Sequence, residues 1–143
     1  MKKFIWLITL VGIDQYSKYW ATQNLQIPRK ITDFFTLKFV ENSGIAFSIP
    51  IPRIFLLILI SAIVLYLVYY LWKTKFTKFA EISIVLITAG AIGNLIDRFL
   101  NNGKVIDFIS FWSFPIFNFA DIFISCGVII YLFMEIFSMP KTE

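Results

Sequence analysis

Asp107 and Asp121 are the residues of this sequence best suited to chemistry, and the reason is elimination. The chain has no His and one Cys, Cys126, in the middle of an apolar stretch. Ser-His and Cys-His nucleophiles, a His zinc site and an intrachain disulfide are therefore excluded. Paired carboxylates are the main acid-base apparatus that remains. In such a pair the ionised carboxylate takes a proton from water while its protonated partner gives one to the carbonyl oxygen under attack. Two like charges a few ångströms apart resist ionising together, so they titrate as a coupled pair. A plainer reading is equally open here, with Asp107 a solvated loop residue and Asp121 a helix N-terminal acid favoured by the dipole.

Other polar residues recur at helical spacing. Asp14, Ser17 and Lys18 share one face, as do Gly90, Asn94, Asp97 and Arg98, and again Asn118, Asp121 and Ser125. Asp14 and Lys18, at i and i+4, are expected to form a local ion pair of small worth, at a depth where lipid contact is open. Asp97 and Arg98 diverge on a helix, so each needs a partner elsewhere. For Arg98 that is a carboxylate or backbone carbonyls across the bundle, which is a scaffolding role. Ala89-Gly90-Ala91 with Gly93 allows close helix approach. The Asn42-Ser43-Gly44 turn either aims an amide at a substrate backbone or simply reverses the chain.

The elements that must carry these groups are lipid-soluble. Of 143 residues, 59% are apolar and 15% charged, against roughly 45–50% and about 25% in a soluble domain. There are 17 Phe, and the mean hydropathy is +0.79. Soluble-enzyme and nucleic-acid-binding classes fall away, since a net charge of +4 is too modest for a polyanion partner. Four stretches, near 4–22, 54–72, 80–100 and 117–137, have the length of about 20 residues that a bilayer requires. The expected fold is a membrane all-α protein of four transmembrane helices, a single domain over 1–143. Lys2 and Lys3 before an apolar run raise the possibility of a signal peptide. No A-x-A-like site follows, and the run continues through Asp14 to Trp20, so the segment is expected to be retained.

Orientation follows from the basic residues. Lys73, Lys75 and Lys78 crowd one short link, and Lys2, Lys3 and Lys141 fall on the same side. That side is expected to be cytoplasmic, with both termini. The polar ends of helices 1, 3 and 4 then meet at the outer leaflet, where intramembrane charge marks function. Two outer segments complete the chain. In 33–52, Phe35, Leu37 and Phe39 alternate with Thr36 and Lys38 before the turn, which reads as a short hairpin, and 101–117 reads as a loop carrying Asp107.

Five ordered blocks resemble the lipoprotein signal peptidase (signal peptidase II) family over nearly the whole chain. They are D-Q-Y-S-K at 14–18, E-N-S-G-I-A-F at 41–47, G-A-I-G-N-L-I-D-R at 90–98, V-I-D-F at 105–108 and F-N-F-A-D at 117–121. The resemblance implies an intramembrane aspartyl protease of the bacterial plasma membrane. Such an enzyme removes the signal peptide from a prolipoprotein, cutting before a cysteine that carries diacylglycerol. It implies that Asp107 and Asp121 are the catalytic dyad. Asp14, Lys18, Asn42, Gly44, Asn94, Asp97, Arg98 and Asn118 become substrate-binding or supporting residues, and a small outer β-cradle comes largely from 33–52. No metal or cofactor is implied, the partners are lipidated prolipoproteins and membrane lipid, and the chain is expected to be monomeric. Ser17, Ile45 and Ile122 depart from the family's usual residues without touching the carboxylates, and Ile45 bears on substrate range.

Two other functions are weighed. A small transporter or channel subunit would need polar residues through the full depth, yet helix 2 and the inner halves of helices 3 and 4 are nearly bare. Glu81 and Glu135 lie near the cytoplasmic ends, where snorkelling accounts for them. A serine-lysine protease would need a Ser and Lys in register, but Ser17 and Lys18 diverge and nothing relates Ser110 to Lys104.

Overall fold

The computed structural model describes residues 2–43 and 53–138. The elements run α1 (Lys2–Asn24), β1 (Arg29–Lys30), β2 (Phe35–Asn42), α2 (Arg53–Lys73), α3 (Lys78–Leu100), β3 (Val105–Phe111) and α4 (Phe119–Ser138). Three helices are long and apolar enough to cross a membrane: Ile54–Lys73, Lys78–Leu100 and Phe119–Phe137. Helix α1, with Asp14 and Lys18 in its second half, is not among them.

Helix α3 is the centre of the bundle and packs against α1, α2 and α4. Small residues permit this. A Cβ on Gly90 would strike the Ala120 carbonyl oxygen and stand 2.7 Å from Ile124 Cγ1, so only Gly lets α4 lie this close. One apolar core joins Leu7, Leu71, Ile84, Val85 and Ala89; a second joins Ala21, Leu25 and Phe108 where α1 meets the sheet. Helix α2 packs chiefly against α3, meets α1 near Leu71, and leaves Ile54, Phe55, Ile58, Leu59, Leu65 and Tyr66 exposed. Such a face is stable against hydrocarbon. Lys3 ties the start of α1 to the end of α2 by donating to the carbonyls of Leu71 and Thr74, two of the orphan acceptors of the α2 C-terminus.

The outer segments form one antiparallel sheet in the order β1-β2-β3. This differs from the expected arrangement. The hairpin read into 33–52 would place its second strand beyond Asn42-Ser43-Gly44, and residues 44–52 lie outside the described ones. What β2 pairs with is β1 on one side and β3 on the other. The 101–117 segment, expected as a loop, supplies that third strand. Its sequence VIDFISF is β-branched and aromatic, as a strand buried against a helical bundle requires, and Val105 through Phe108 are all buried. The register shifts by one residue between Leu37 and Val40, so that Val40 stands opposite Asp107 and Asn42 opposite Val105.

Candidate active site

Each polar side chain at the sheet end of the bundle has a local reason for its position. Helix α3 stops because Asn102 (φ 55°) and Gly103 (φ 87°) take the left-handed conformation, which Asn tolerates and Gly favours. The Asn101 N–H bonds the Asp97 carbonyl at 2.7 Å and the Gly103 N–H bonds the Arg98 carbonyl at 2.8 Å. This reversal returns the chain beside α3 as β3, and the Ile106 N–H donates to Asp97 Oδ2 at 2.9 Å. Asp107 follows at once. Asn118 caps α4: its Oδ1 accepts the Asp121 N–H at 2.9 Å while its own N–H donates to Asp121 Oδ2 at 3.2 Å. That reciprocal arrangement fixes Asp121 in the first turn.

The two carboxylates are joined through amides. Asn118 Nδ2 donates to Asp107 Oδ1 at 2.7 Å and also lies 3.2 Å from Asn94 Oδ1 and the Ile106 carbonyl. Asn94 Nδ2 donates to Asp121 Oδ1 at 2.8 Å. Asn42 Nδ2 donates to Asp107 Oδ2 at 2.8 Å, reaching diagonally across the β2-β3 ladder. Asp107 is 2% exposed, whereas Asp121 is half-buried. Burial pushes the Asp107 carboxyl above its ordinary value of 3.8. The Asp121 charge adds to the rise, and the Asn42 and Asn118 hydrogen bonds and the more distant Lys18 charge restrain it.

Beneath the carboxylates lies a buried ionic knot. Lys18 Nζ contacts Asp14 Oδ2 at 2.8 Å, Asp97 Oδ2 at 3.0 Å and Asn94 Oδ1 at 3.0 Å, so three acceptors meet its three donors. Asp14 also accepts the Ala120 N–H on Oδ1 at 2.9 Å, which satisfies a free donor at the α4 N-terminus. The expected Asp14–Lys18 pair is present, yet it is far more than local. Both side chains are buried, at 0% and 1% exposure, and neither reaches the surface. Gly93 belongs to the same knot, because a Cβ there would collide with the Asp14 carboxylate.

Arg98 is placed differently from its expected cross-bundle partnership. Its guanidinium donates to the Asn94 carbonyl of its own helix at 3.0 Å, and it forms no ion pair among the described residues. Its Nε is buried without a partner among the described residues, in the field of Asp121, Asp97 and Asp107. Gly44 and Ile45 lie outside the described residues. Ser17 donates to the Asp14 carbonyl at 2.7 Å, and Ile122 only continues α4.

Sequence reasoning passed over Gln15, which bridges Asp14 Oδ2 (3.2 Å), the Gly93 carbonyl (3.1 Å) and Asp97 Oδ1 (3.1 Å). Its adjacency to Asp14 in the D-Q-Y-S-K block was the available signal. The backbone donors of Ile106 and Ala120 have no side-chain signature. An apolar slot of about 470 Å³ opens beside the site, lined by Tyr16, Ser17, Trp20, Phe35, Leu37, Phe108, Ile109 and Phe119. Phe108 and Phe119 directly follow Asp107 and Asn118, so the slot and the carboxylates share their supporting strand and cap.

Comparison with known proteins bears on this arrangement. The family model described as signal peptidase (SPase) II matches residues 6–137. A lipoprotein signal peptidase of Rickettsia africae is 42% identical over 94% of this chain and 72% of its own length. That of Clostridium tetani is 40% identical over 87% and 86%. A solved structure described as a bacterial membrane enzyme, determined in meso at 1.9 Å, superposes with a TM-score of 0.86 at 30% identity, covering 96% of this chain and 94% of the other.

Proposed function

Because the chain belongs to the signal peptidase II family, we propose that Asp107 and Asp121 are the aspartyl dyad by which it hydrolyses its substrates. It is an aspartic-type peptidase of multi-pass membrane character that removes signal peptides from prolipoproteins. The observation carrying the dyad is the amide bridge: Asn118 and Asn94 hold a buried carboxylate of β3 and a half-buried one of α4 in one hydrogen-bonded unit.

The mechanism follows from one proton shared by two acids. The ionised carboxylate takes a proton from water as the water oxygen bonds to the scissile carbonyl carbon. The protonated partner gives its proton to the carbonyl oxygen, producing a neutral tetrahedral diol. The first carboxyl then gives the proton it took from water to the leaving nitrogen as the C–N bond breaks, while the second takes a proton back from a diol hydroxyl, which restores the starting pair. Asn42, Asn94 and Asn118 orient the carboxylates. Lys18, Asp14, Asp97 and Gln15 fix the helices from which the site projects. Arg98, whose Nε has no hydrogen-bond partner among the described residues, and Asn42 are assigned to positioning the substrate backbone.

The site operates at the outer leaflet, with both termini and the Lys73–Lys78 link in the cytoplasm and α1 as a fourth span beside α3. One continuous domain, 1–143, suffices as a monomer, since the dyad and its supports come from one chain. The scissile bond precedes a diacylglyceryl-modified cysteine. The anchor holds the bond at the depth of the carboxylates, confines the search to two dimensions, and supplies binding energy remote from the reacting carbonyl. The slot beside Phe108 and Phe119 offers an apolar surface to the substrate. The test compares two otherwise identical prolipoproteins, one diacylglyceryl-modified and one bare, at equal membrane density with the purified chain. Faster cleavage of the modified substrate is expected. Equal rates would leave an interfacial aspartyl protease that does not read lipid.

A further inference from the structure

A second cavity, also about 470 Å³, lies between the first halves of α1 and α3, at the opposite end of the bundle from the carboxylates. Trp6, Leu10, Ile82, Val85 and Leu86 form its apolar walls. Lys2, Lys3 and Lys78 rim it, with Glu81 as the one acidic group. Along the helices its middle lies about 12 Å from Asp14 and about 18 Å from Asn94, and it shares no lining residue with the site described above. Lys3 is held by the Leu71 and Thr74 carbonyls, and its ammonium lies 5.8 Å from the Phe76 ring centroid. Lys2 and Lys78 are exposed and make no ion pair among the described residues. Both α1 and α3 begin here, so their dipoles add positive potential to that of the lysines.

We infer that this groove binds one anionic phospholipid of the leaflet opposite the carboxylates, an acyl chain lying along Trp6, Leu10 and Leu86 with the phosphate between Lys2 and Lys78. The charge at the rim selects the occupant. Three lysines against one glutamate leave an excess of positive charge beside an apolar trough, which fits a ligand with one negative head and a hydrocarbon tail. A second protein helix would leave the ammonium groups without counter-charge. Exposed Trp6 fits the headgroup boundary. The bound lipid would brace α1 against α3 on the side where the two helices have no ionic connection of their own.

The experiment uses the full chain in nanodiscs of equimolar phosphatidylglycerol and phosphatidylethanolamine, with lipids retained after release counted by native mass spectrometry. The native chain should retain phosphatidylglycerol over phosphatidylethanolamine at least about fivefold, the scale of one well-placed lysine. A Lys2→Gln/Lys78→Gln chain should lose that preference, and Lys2→Arg/Lys78→Arg should keep it. Lys73→Gln/Lys75→Gln, with the same change in net charge but outside the groove, should also keep it. Equal retention of the two lipids by the native chain overturns the proposal. So does equal loss in both Gln double variants, which would mean diffuse surface attraction. Thermal unfolding of each variant in the same discs verifies that the compared chains are folded.

Discussion

The side-chain amide of Asn118 donates to Asp107 Oδ1 across 2.7 Å, and the same residue exchanges two hydrogen bonds with Asp121. A helix cap thereby sets the relation between two acids that lie on different elements. Capping is ordinarily a matter of stability; here it also sets the relative placement of two carboxyl groups.

Asp107→Asn and Asp121→Asn should each abolish cleavage of a diacylglyceryl-modified prolipoprotein, because Asn keeps the shape but cannot exchange the proton. Gel analysis of substrate turnover by the purified variants tests this. Appreciable turnover in either variant would refute a two-carboxylate mechanism.

The stability of the chain should carry the signature of Asp107. Its native value lies above the unfolded 3.8, chiefly through burial. The native state therefore keeps a proton that the unfolded state has released, so this group's contribution is full below 3.8 and is lost as pH rises through the native value. Relative to Asp107→Asn, the unaltered chain should lose thermal stability as pH rises from the acid range towards neutrality. A melting-temperature difference that is constant with pH would contradict this.

Lys18→Met should be the most damaging single change outside the dyad. It strands Asp14 and Asp97, which are 0% and 2% exposed, and breaking a buried ion pair costs about 3–5 kcal/mol. Adding Asp14→Asn and Asp97→Asn should recover part of the loss in a thermal melt. Without such recovery, the damage would have to come from packing and not from stranded charge.

Two glycines of the helices should respond in opposite senses. Nothing lies within 4 Å of a Cβ built on Gly12, so Gly12→Ala should stabilise by about 1 kcal/mol through helix propensity. Gly93→Ala would drive a methyl into the Asp14 carboxylate and should destabilise despite the same propensity gain. Chemical denaturation of both variants in one detergent measures the difference.

Membrane orientation is open to direct labelling. In a Cys126→Ala background, a cysteine at exposed Ser113 should react with an impermeant thiol reagent added outside, and one at exposed Thr77 should not. The reverse labelling would overturn the proposed orientation and the outer-leaflet placement of the carboxylates.

The helices were legible because nothing but lipid asks for IFLLILISAIVLYLVYYLW, and their ends because charge collects there. The gathering of Asp14, Asn94, Asp97 and Asn118 was legible from helical spacing and from the cost of intramembrane charge. The strand at 105–111 was not. Its pairing with β2 depends on the left-handed turn at Asn102-Gly103 and on a partner more than sixty residues earlier, which no local pattern encodes. The reach of Lys18 to Asp97 was hidden for the same reason. A local i,i+4 pair explained Asp14 and Lys18 well enough to conceal that their further partners lie on α3 and at the start of α4.

That reach has a consequence for biogenesis. During synthesis Asp14 and Lys18 are made long before Asn94, Asp97 and Ala120, so at first each has the other as its nearest counter-charge. With α1 as the proposed fourth span, the i,i+4 spacing lets the nascent helix enter as a neutralised pair until α3 arrives. The later helices then draw both charges inward, and the last turn of assembly, in which α4 docks on Asp14, is also the one that delivers Asp121. Under the proposed dyad, a chain interrupted before that step would lack Asp121 at the site and could not cut a peptide.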